Sequence, residues 1–322
     1  MSRTILITGA NGRLGQAAIR EFAGRGWRIN TLVRKHADDL SAGQPVNEFI
    51  GDVCDFQLFH AAALGCDVIL HAANPSYEHW ASVLPPSIST LIEVAKSVNA
   101  TIVMPGNVYP YGEHMPPLLT PDKAHLPGCE PAELRAQLEQ RLQAAAAEQG
   151  VQTLLVRAGG YIDGRDTGNW FESYMCKDLH RGRFMYPGAM DTECAWVYLP
   201  DVASVMAQVT ERRDNLALYE DIGVPGFSVT GTQMHNAVQA HCGQSFKLTS
   251  IPWFFIRLAG WFKPQMKAVY DLRYLFFVPH RIDGTRLQQI LPDWQSTTLQ
   301  DTLAAIDLPT ENQLPAQTLT QH

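Results

Sequence analysis

Thr4-Ile5-Leu6-Ile7-Thr8-Gly9-Ala10-Asn11-Gly12-Arg13-Leu14-Gly15 decides the fold. Thr4–Ile7 is a continuous apolar run, the pattern of a buried strand, and Leu14–Phe22 has helical apolar spacing. The glycines between them read G-x-x-G-x-x-G. Gly9 permits a tight turn, Gly12 lets the backbone approach a pyrophosphate, and Gly15 lets the helix pack closely on the strand. The helix N-terminus adds N–H groups and the positive end of its dipole. A plain glycine turn is the competing reading, but the position between strand and helix favours a phosphate cradle. Expected contacts are Gly9, Asn11, Gly12, Arg13, Leu14 and Gly15.

Working outward, further strands are predicted at Arg28–Val33, Asn47–Ile50, Cys66–His71, Thr101–Met104 and Thr153–Val156, with helices at Ser87–Val98 and Leu134–Glu148. Continuous apolar strands alternating with helices predict an α/β fold: a Rossmann-type doubly wound parallel sheet covered on both faces, with a smaller C-terminal substrate lobe. The expected division is a dinucleotide-binding core over 1–158, to which later segments return. A mainly substrate or lid lobe follows over 159–308, then a loose tail over 309–322. Helices are also expected at Trp170–Leu179, Val202–Val209 and Trp253–Phe262.

The chain has 322 residues, 46% hydrophobic and 18% charged, which is enough to build a large core and excludes general disorder. Its net charge of −7 argues against general nucleic-acid binding, which needs a basic face. The six cysteines are dispersed without a C-x-x-C pair, so they read as small buried residues rather than a zinc site or disulfide scaffold. No H-E-x-x-H or paired His/carboxylate spacing suggests a metal. The Ile251–Phe262 run is too short to cross a bilayer. The start at Met1 shows no signal peptide. Expected are a cytoplasmic location, a small-molecule substrate, no nucleic acid and no membrane partner.

The second strand ends in Val33-Arg34-Lys35, where a pocket selecting NAD usually places a carboxylate. A guanidinium matches a 2′-phosphate in charge and bidentate geometry, so Arg34 and Lys35, joined by Arg13, favour NADP while leaving NAD open. Solvated surface charge is the alternative reading. In Gly51-Asp52-Val53, Asp52 is placed to accept from an adenine amino group and Val53 to cover the ring.

Together these motifs resemble the short-chain dehydrogenase/reductase superfamily in its extended and atypical branches, and NAD(P)-dependent epimerase/dehydratase-like proteins most closely. Asp67-Val68-Ile69-Leu70-His71-Ala72-Ala73 resembles the family's fourth strand, whose end lies beside the cofactor ribose; this adds His71, Ala72, Ala73 and Asn74 as expected cofactor contacts. Leu199-Pro200-Asp201-Val202-Ala203 resembles its V-x-D-V-A segment. Asn74-Pro75-Ser76-Tyr77 with Trp80, and Pro105-Gly106-Asn107-Val108-Tyr109, resemble an uncharacterised subgroup. The resemblance also implies dimerisation through two helices per subunit, a homodimer by analogy.

The sequence departs from the family at the catalytic helix, where typical members carry Y-x-x-x-K with a Glu four residues after the Lys. Glu139 matches that Glu, which puts Arg135 at the Lys position and Pro131 at the Tyr position. Pro105 or Asn107 takes the place of the Ser/Thr. Proline cannot titrate, and arginine stays charged at neutral pH, so Arg135 retains only binding or field roles. Replacement catalytic candidates are Tyr109, ranked first, with Asn107 and Arg135; Tyr111 and His114 rank lower. Tyr77, Trp80, Tyr161 and Trp170 are candidate substrate contacts. Trp170, Phe171, Tyr174, Phe184, Met185 and Tyr186 could line an apolar pocket, with Trp253-Phe254-Phe255 and Trp261-Phe262 as its lid, although such aromatic stripes are more often core than pocket. Arg165, Arg181 and Arg183 show no diphosphate clamp by spacing, and His280-Arg281-Ile282-Asp283 is a surface or lid segment.

The leading expectation is an NADP(H)-dependent oxidoreductase of atypical short-chain type, acting on a small, partly apolar substrate. The alternatives are a sugar-nucleotide epimerase or dehydratase with rearranged acid/base residues, and a catalytically inactive NADP(H)-sensing binding protein.

Overall fold

Ile5 and Ile7 pack into one apolar cluster and Leu6 into another, and all three are fully buried. A strand whose alternate side chains both enter cores must be covered on both faces. The computed structural model describes residues 3–36, 45–164 and 169–308 and shows this sandwich.

The first half runs β1 (Thr4–Thr8), α1 (Arg13–Gly24), β2 (Arg28–Val33), β3 (Val46–Ile50), α2 (Phe56–Ala63), β4 (Val68–His71), α3 (Trp80–Val98), β5 (Thr101–Gly106), β6 (Leu118–Leu119), α4 (Glu130–Gln149) and β7 (Thr153–Arg157). The second half runs β8 (Gly160–Ile162), β9 (Arg183–Tyr186), β10 (Glu193–Tyr198), α5 (Leu199–Thr210), β11 (Tyr219–Gly223), β12 (Phe227–Thr230), α6 (Gly231–Cys242), β13 (Lys247–Ser250), α7 (Trp253–Ala259), α8 (Pro264–Asp271), β14 (Arg281–Ile282), α9 (Thr285–Ile290) and α10 (Leu299–Ala305).

Seven strands form one parallel sheet in the order β11-β7-β5-β4-β1-β2-β3. This is the doubly wound Rossmann arrangement, in which the order reverses beside β1 and ligands bind at the strands' carboxyl ends. Helices α1 and α5 cover one face through Ala17, Phe22, Val202 and Met206. Helices α2, α3 and α4 cover the other through Phe59, Ile88, Leu91 and Leu142. A separate cluster, including Ile162, Phe171, Phe184, Tyr186, Trp196, Met234 and Phe276, holds the smaller sheets β12-β10-β8, β13-β9 and β14-β6. Asp201 in the first turn of α5 accepts from both the backbone N–H and the hydroxyl of Thr297, at 2.7 and 2.8 Å, latching the C-terminal segment onto the main sheet's helical layer.

Helix α3 starts at Trp80, seven residues before the expected Ser87, and runs through Pro85 and Pro86. The prolines remove two helical donors, yet Trp80, Leu84 and Ile88 stay buried, and Arg141 from α4 donates to the Pro85 carbonyl at 2.8 Å. The helix expected over Trp170–Leu179 becomes a wide turn over Phe171–Met175. There the Glu172 carboxylate accepts the N–H groups of Asp163 and Gly164, and Asn169 Oδ1 accepts from the Glu172 N–H, which pins the segment to β8. The expected Trp253–Phe262 helix ends at Ala259, with Gly260 following and Pro264 opening α8. Arg165 and the tail after Leu308 lie outside the described residues. None of the six cysteines forms a disulfide.

Where the chain leaves the main sheet, Gly159 and Gly160 press on β10. A Cβ on Gly160 would stand 2.6 Å from the Trp196 ring, and one on Gly159 2.3 Å from the Ala195 carbonyl oxygen. Gly160→Ala is therefore expected to lower unfolding stability by about 1–3 kcal/mol through overpacking, read as a lower urea midpoint at unchanged slope.

Candidate active site

The glycine loop follows β1 at the carboxyl edge of the sheet. Gly9 has φ +69°, and a Cβ there would lie 2.6 Å from the backbone of Ala72 and Ala73 at the end of β4. A Cβ on Gly15 would stand 2.4 Å from the Gly9 carbonyl oxygen. Gly12 caps α1 with extended backbone and no side-chain hydrogen bond, and the helix has no acid in its first turn. Bare backbone, a helix dipole and no competing carboxylate suit a diphosphate. Leu14 anchors the loop in the core. The Asn11 side-chain amide donates to the Lys35 carbonyl at 3.2 Å, which joins the loop to the end of β2. Arg34 and Lys35 are exposed there. Asp52 is also exposed; its Oδ1 accepts from the Cys54 N–H at 2.8 Å, while Val53 packs on the sheet cluster.

Two expected cofactor residues have hydrogen-bond partners within the protein. Arg13 donates to Asp163 Oδ1 at 2.9 Å, with the two side chains 17% and 6% exposed, so its charge is neutralised and ties α1 to the segment after β8 instead of joining Arg34. His71 is buried. Its Nδ1 shares a hydrogen bond with Thr8 Oγ1 at 2.9 Å and its ring stacks near Phe59, so the imidazole braces β4 against β1. Ala72 and Ala73 present only backbone to Gly9, and Asn74 is exposed beyond them.

The loops after β4 and β5 bring two phenols together. Tyr77 and Tyr109 hydroxyls lie 2.8 Å apart. Trp80 sits beneath them, its ring centroid 4.8 Å from Tyr77 and 6.3 Å from Tyr109, with its indole N–H donating to the Pro75 carbonyl at 2.9 Å. Burial pushes both phenols above the ordinary tyrosine value, and the Arg135 cation pulls each back partway. Tyr161, after β7, is pushed up to about 12 by burial, opposed by Arg135 and Arg13. Tyr174 lies within electrostatic range of Tyr77, and Trp170 packs against Tyr174, Trp253 and Phe276 at the base of the smaller lobe.

Arg135 projects from α4 into this group at 6% exposure. It donates to the Pro105 carbonyl and stands over the Trp80 ring, and its Nε has no hydrogen-bond partner. Pro131 occupies the first turn of α4, where a missing N–H costs nothing. Asn107 is drawn into its own loop: Oδ1 accepts from the Tyr109 N–H at 3.0 Å, and its carbonyl accepts from Arg157. It therefore shapes the turn that carries Tyr109.

Arg157 was not among the expected site residues. It ends β7 fully buried, pairs with Glu139 at 2.7 Å and Asp221 at 2.6 Å, and lies over the Tyr111 ring. An Arg closing an apolar strand, with an Asp inside another strand, was the available signal, because buried charges require partners. Tyr111 is itself buried, its hydroxyl donating to the Thr120 carbonyl. His114 is exposed.

The expected aromatic pocket and lid are not formed as one wall. Phe171, Phe184 and Tyr186 are core, whereas Phe254, Phe255, Trp261 and Phe262 face solvent. The 280–283 segment is a sheet element: His280 is buried on the Val278 carbonyl, and Arg281–Ile282 pair with β6.

His71 links this site to pH. Burial, then Arg135, lowers its pKa from 6.5 to about 4, so the unfolded chain binds a proton that the folded chain refuses between those values. Stability contributed by neutral His71 is whole above about pH 6.5 and is lost as pH falls toward 4, a change on the order of a few kcal/mol. Urea titrations across this window are expected to show a shallower pH dependence for His71→Asn than for the parent protein.

The sequence model of the NAD dependent epimerase/dehydratase family matches residues 5–224. No curated protein matches the chain by sequence. Among solved structures, the chain is similar to an L-threonine dehydrogenase from Clostridium difficile, with TM-score 0.76 and 17% identity over 94% of this chain and 96% of that one. It is similar to a UDP-glucose 4-epimerase from Bifidobacterium longum, with TM-score 0.73 and 16% identity over 94% and 96%. It is also similar to a dTDP-glucose 4,6-dehydratase from Bacillus anthracis, with TM-score 0.74 and 13% identity over 94% and 96%. At these identities the structural likeness speaks to the fold; the family match covers more than half of the sequence, and the chain belongs to the NAD-dependent epimerase/dehydratase family.

Proposed function

We propose that this protein is an NADP(H)-dependent oxidoreductase that reduces or oxidises a small, partly apolar substrate without a Tyr-x-x-x-Lys pair. The observation that carries the reading is the Tyr77–Tyr109 hydroxyl pair beside the buried Arg135 cation. The glycine loop fits a dinucleotide diphosphate: Gly9 and Gly15 let it pack tightly on β4 and on itself, and Gly12 opens α1 with bare backbone. Arg34 and Lys35 would hold a 2′-phosphate, Asp52 and Val53 would border the adenine, and Arg135 would lie toward the ribose. The B. anthracis dehydratase and B. longum epimerase structures contain NAD, which supports a nicotinamide cofactor; exposed cations at the end of β2 support NADP.

A bound nicotinamide would supply or accept the hydride at the substrate carbon. In the reducing direction Tyr109 would give its hydroxyl proton to the substrate oxygen, and Tyr77, already hydrogen-bonded to it, would donate to the resulting phenolate and take a proton from solvent in turn. Burial keeps both phenols protonated at neutral pH, which suits donation, and Arg135 stabilises negative charge on either. Trp80, Tyr161 and Trp170 would contribute apolar surface around the substrate. A sugar-nucleotide reading is less well supported: Arg181 is exposed and paired with Asp178, and Arg183 is exposed on β9.

Two variants test this. Arg34→Ala is expected to weaken NADPH binding by about 10- to 150-fold, the loss of one charge-assisted contact, while leaving NADH unchanged. Fluorescence titration measures both, and equal affinities in the parent protein would remove the case for NADP. Tyr109→Phe is expected to lower kcat about 10²- to 10⁴-fold in carbonyl or quinone reduction, with NADPH affinity intact. A parent protein that binds NADPH but turns over no substrate across such a panel would instead identify a cofactor sensor.

A further inference from the structure

The hairpin after β13 turns an apolar face to solvent. Trp253 points inward, its indole N–H donating to the Pro187 carbonyl at 2.8 Å. On the other side, Phe254, Phe255, Leu258, Trp261 and Phe262 are 72%, 66%, 43%, 75% and 82% exposed. Their spacing of i, i+1, i+4, i+7 and i+8 gathers them on one side of α7 and the turn that continues it. Thirteen large apolar side chains are exposed among the described residues, and these five fall within nine consecutive positions. An apolar patch of this density marks a contact surface.

Charge identifies the partner. The whole chain carries 32 Asp+Glu against 25 Lys+Arg, yet no Asp or Glu occurs from Ile222 to Tyr270, where Lys247, Arg257, Lys263 and Lys267 stand. Lys267 is bonded to Asp271 at 2.7 Å. Arg257 and Lys263 flank the aromatic face, both exposed, and neither has an ion pair among the described residues; Arg257 lies 6.0 Å from the Tyr270 ring. A symmetric contact burying this face would gather the cations of both copies at one interface, with no acid between Ile222 and Tyr270 to answer them. An anionic lipid surface would neutralise them, while the Trp and Phe rings entered the headgroup boundary. No helix among the described residues is long and apolar enough to cross a membrane, and surface docking requires none.

We propose that the α7–α8 hairpin docks this protein on an anionic bilayer surface, with Phe254, Phe255, Trp261 and Phe262 in the interface and Arg257 and Lys263 on the lipid phosphates. This revises the expectation of no membrane partner and stands independently of the proposed reaction.

Flotation of the full chain with vesicles tests it, using phosphatidylcholine alone or with phosphatidylglycerol at roughly one lipid in three. The protein is expected to float with the anionic vesicles and to be released by high salt. Arg257→Glu with Lys263→Glu is expected to weaken that partition by about tenfold or more. The combined Phe254→Ser, Phe255→Ser, Trp261→Ser and Phe262→Ser variant is expected to stay unbound while keeping its circular dichroism and NADPH binding. Failure of the parent protein to float with either vesicle would overturn the proposal, as would undiminished flotation of the serine variant. A dimer in sedimentation equilibrium that the serine variant dissolves, without flotation of the parent, would assign the face to a second copy instead.

Discussion

A guanidinium with 2% of its side chain exposed sets the geometry of this protein. Arg157 is met by Glu139 from α4, by Asp221 from β11 and by the carbonyl of Asn107 after β5. Burying one cation is costly unless its donors are answered, and here two carboxylates and a carbonyl answer them. The two carboxylates hold Arg157 charged, well above its ordinary pKa, despite burial. The bond to Asn107 fixes the loop that carries Tyr109, and the bond to Glu139 fixes α4 one turn after Arg135. Removing one carboxylate partner from such a pair typically costs about 3–5 kcal/mol, so the cluster couples the fold's integrity to the position of the site.

The two guanidiniums, 22 residues apart on different elements, divide the work by their partners. Arg157 has carboxylates on both sides and is structural. Arg135 has a carbonyl and an orphaned Nε, and its charge acts on the Glu139 carboxylate first and then on the Tyr161 and Tyr109 phenols. Proline at 131 starts α4 cleanly but removes an acid from that position. Among the described residues, phenols reach this group from Tyr77 after β4, Tyr109 after β5 and Tyr161 in β8.

The parallel sheet was legible in the sequence because each strand's apolar run is local, and glycine spacing is local too. Features that failed to show depend on distance along the chain. Arg13 finds Asp163 150 positions later, and Arg157 finds Asp221 64 positions later. Neither pairing leaves a periodic trace. The Thr8–His71 hydrogen bond was not legible either, because a motif gives a position at the end of a strand and not the face that the side chain takes. The late aromatic stripe left core and surface undivided for a related reason: hydrophobicity alone does not distinguish Phe184, which is core, from Phe262, which is at the surface. Small strands such as β6 and β14 are two residues long and pair only with each other, so no window of sequence reveals them.

The latch between Asp201 and Thr297 has a bearing on biosynthesis. All seven strands of the main sheet have been made once Gly223 is joined, but the half-buried carboxylate in α5 receives its two donors only 74 residues afterwards, at Thr297. Burial raises the Asp201 pKa, and the Thr297 bonds pull it back. A nascent chain stalled between those points would leave the Asp201 carboxylate to water, so this latch onto α5 closes only once Thr297 has been made.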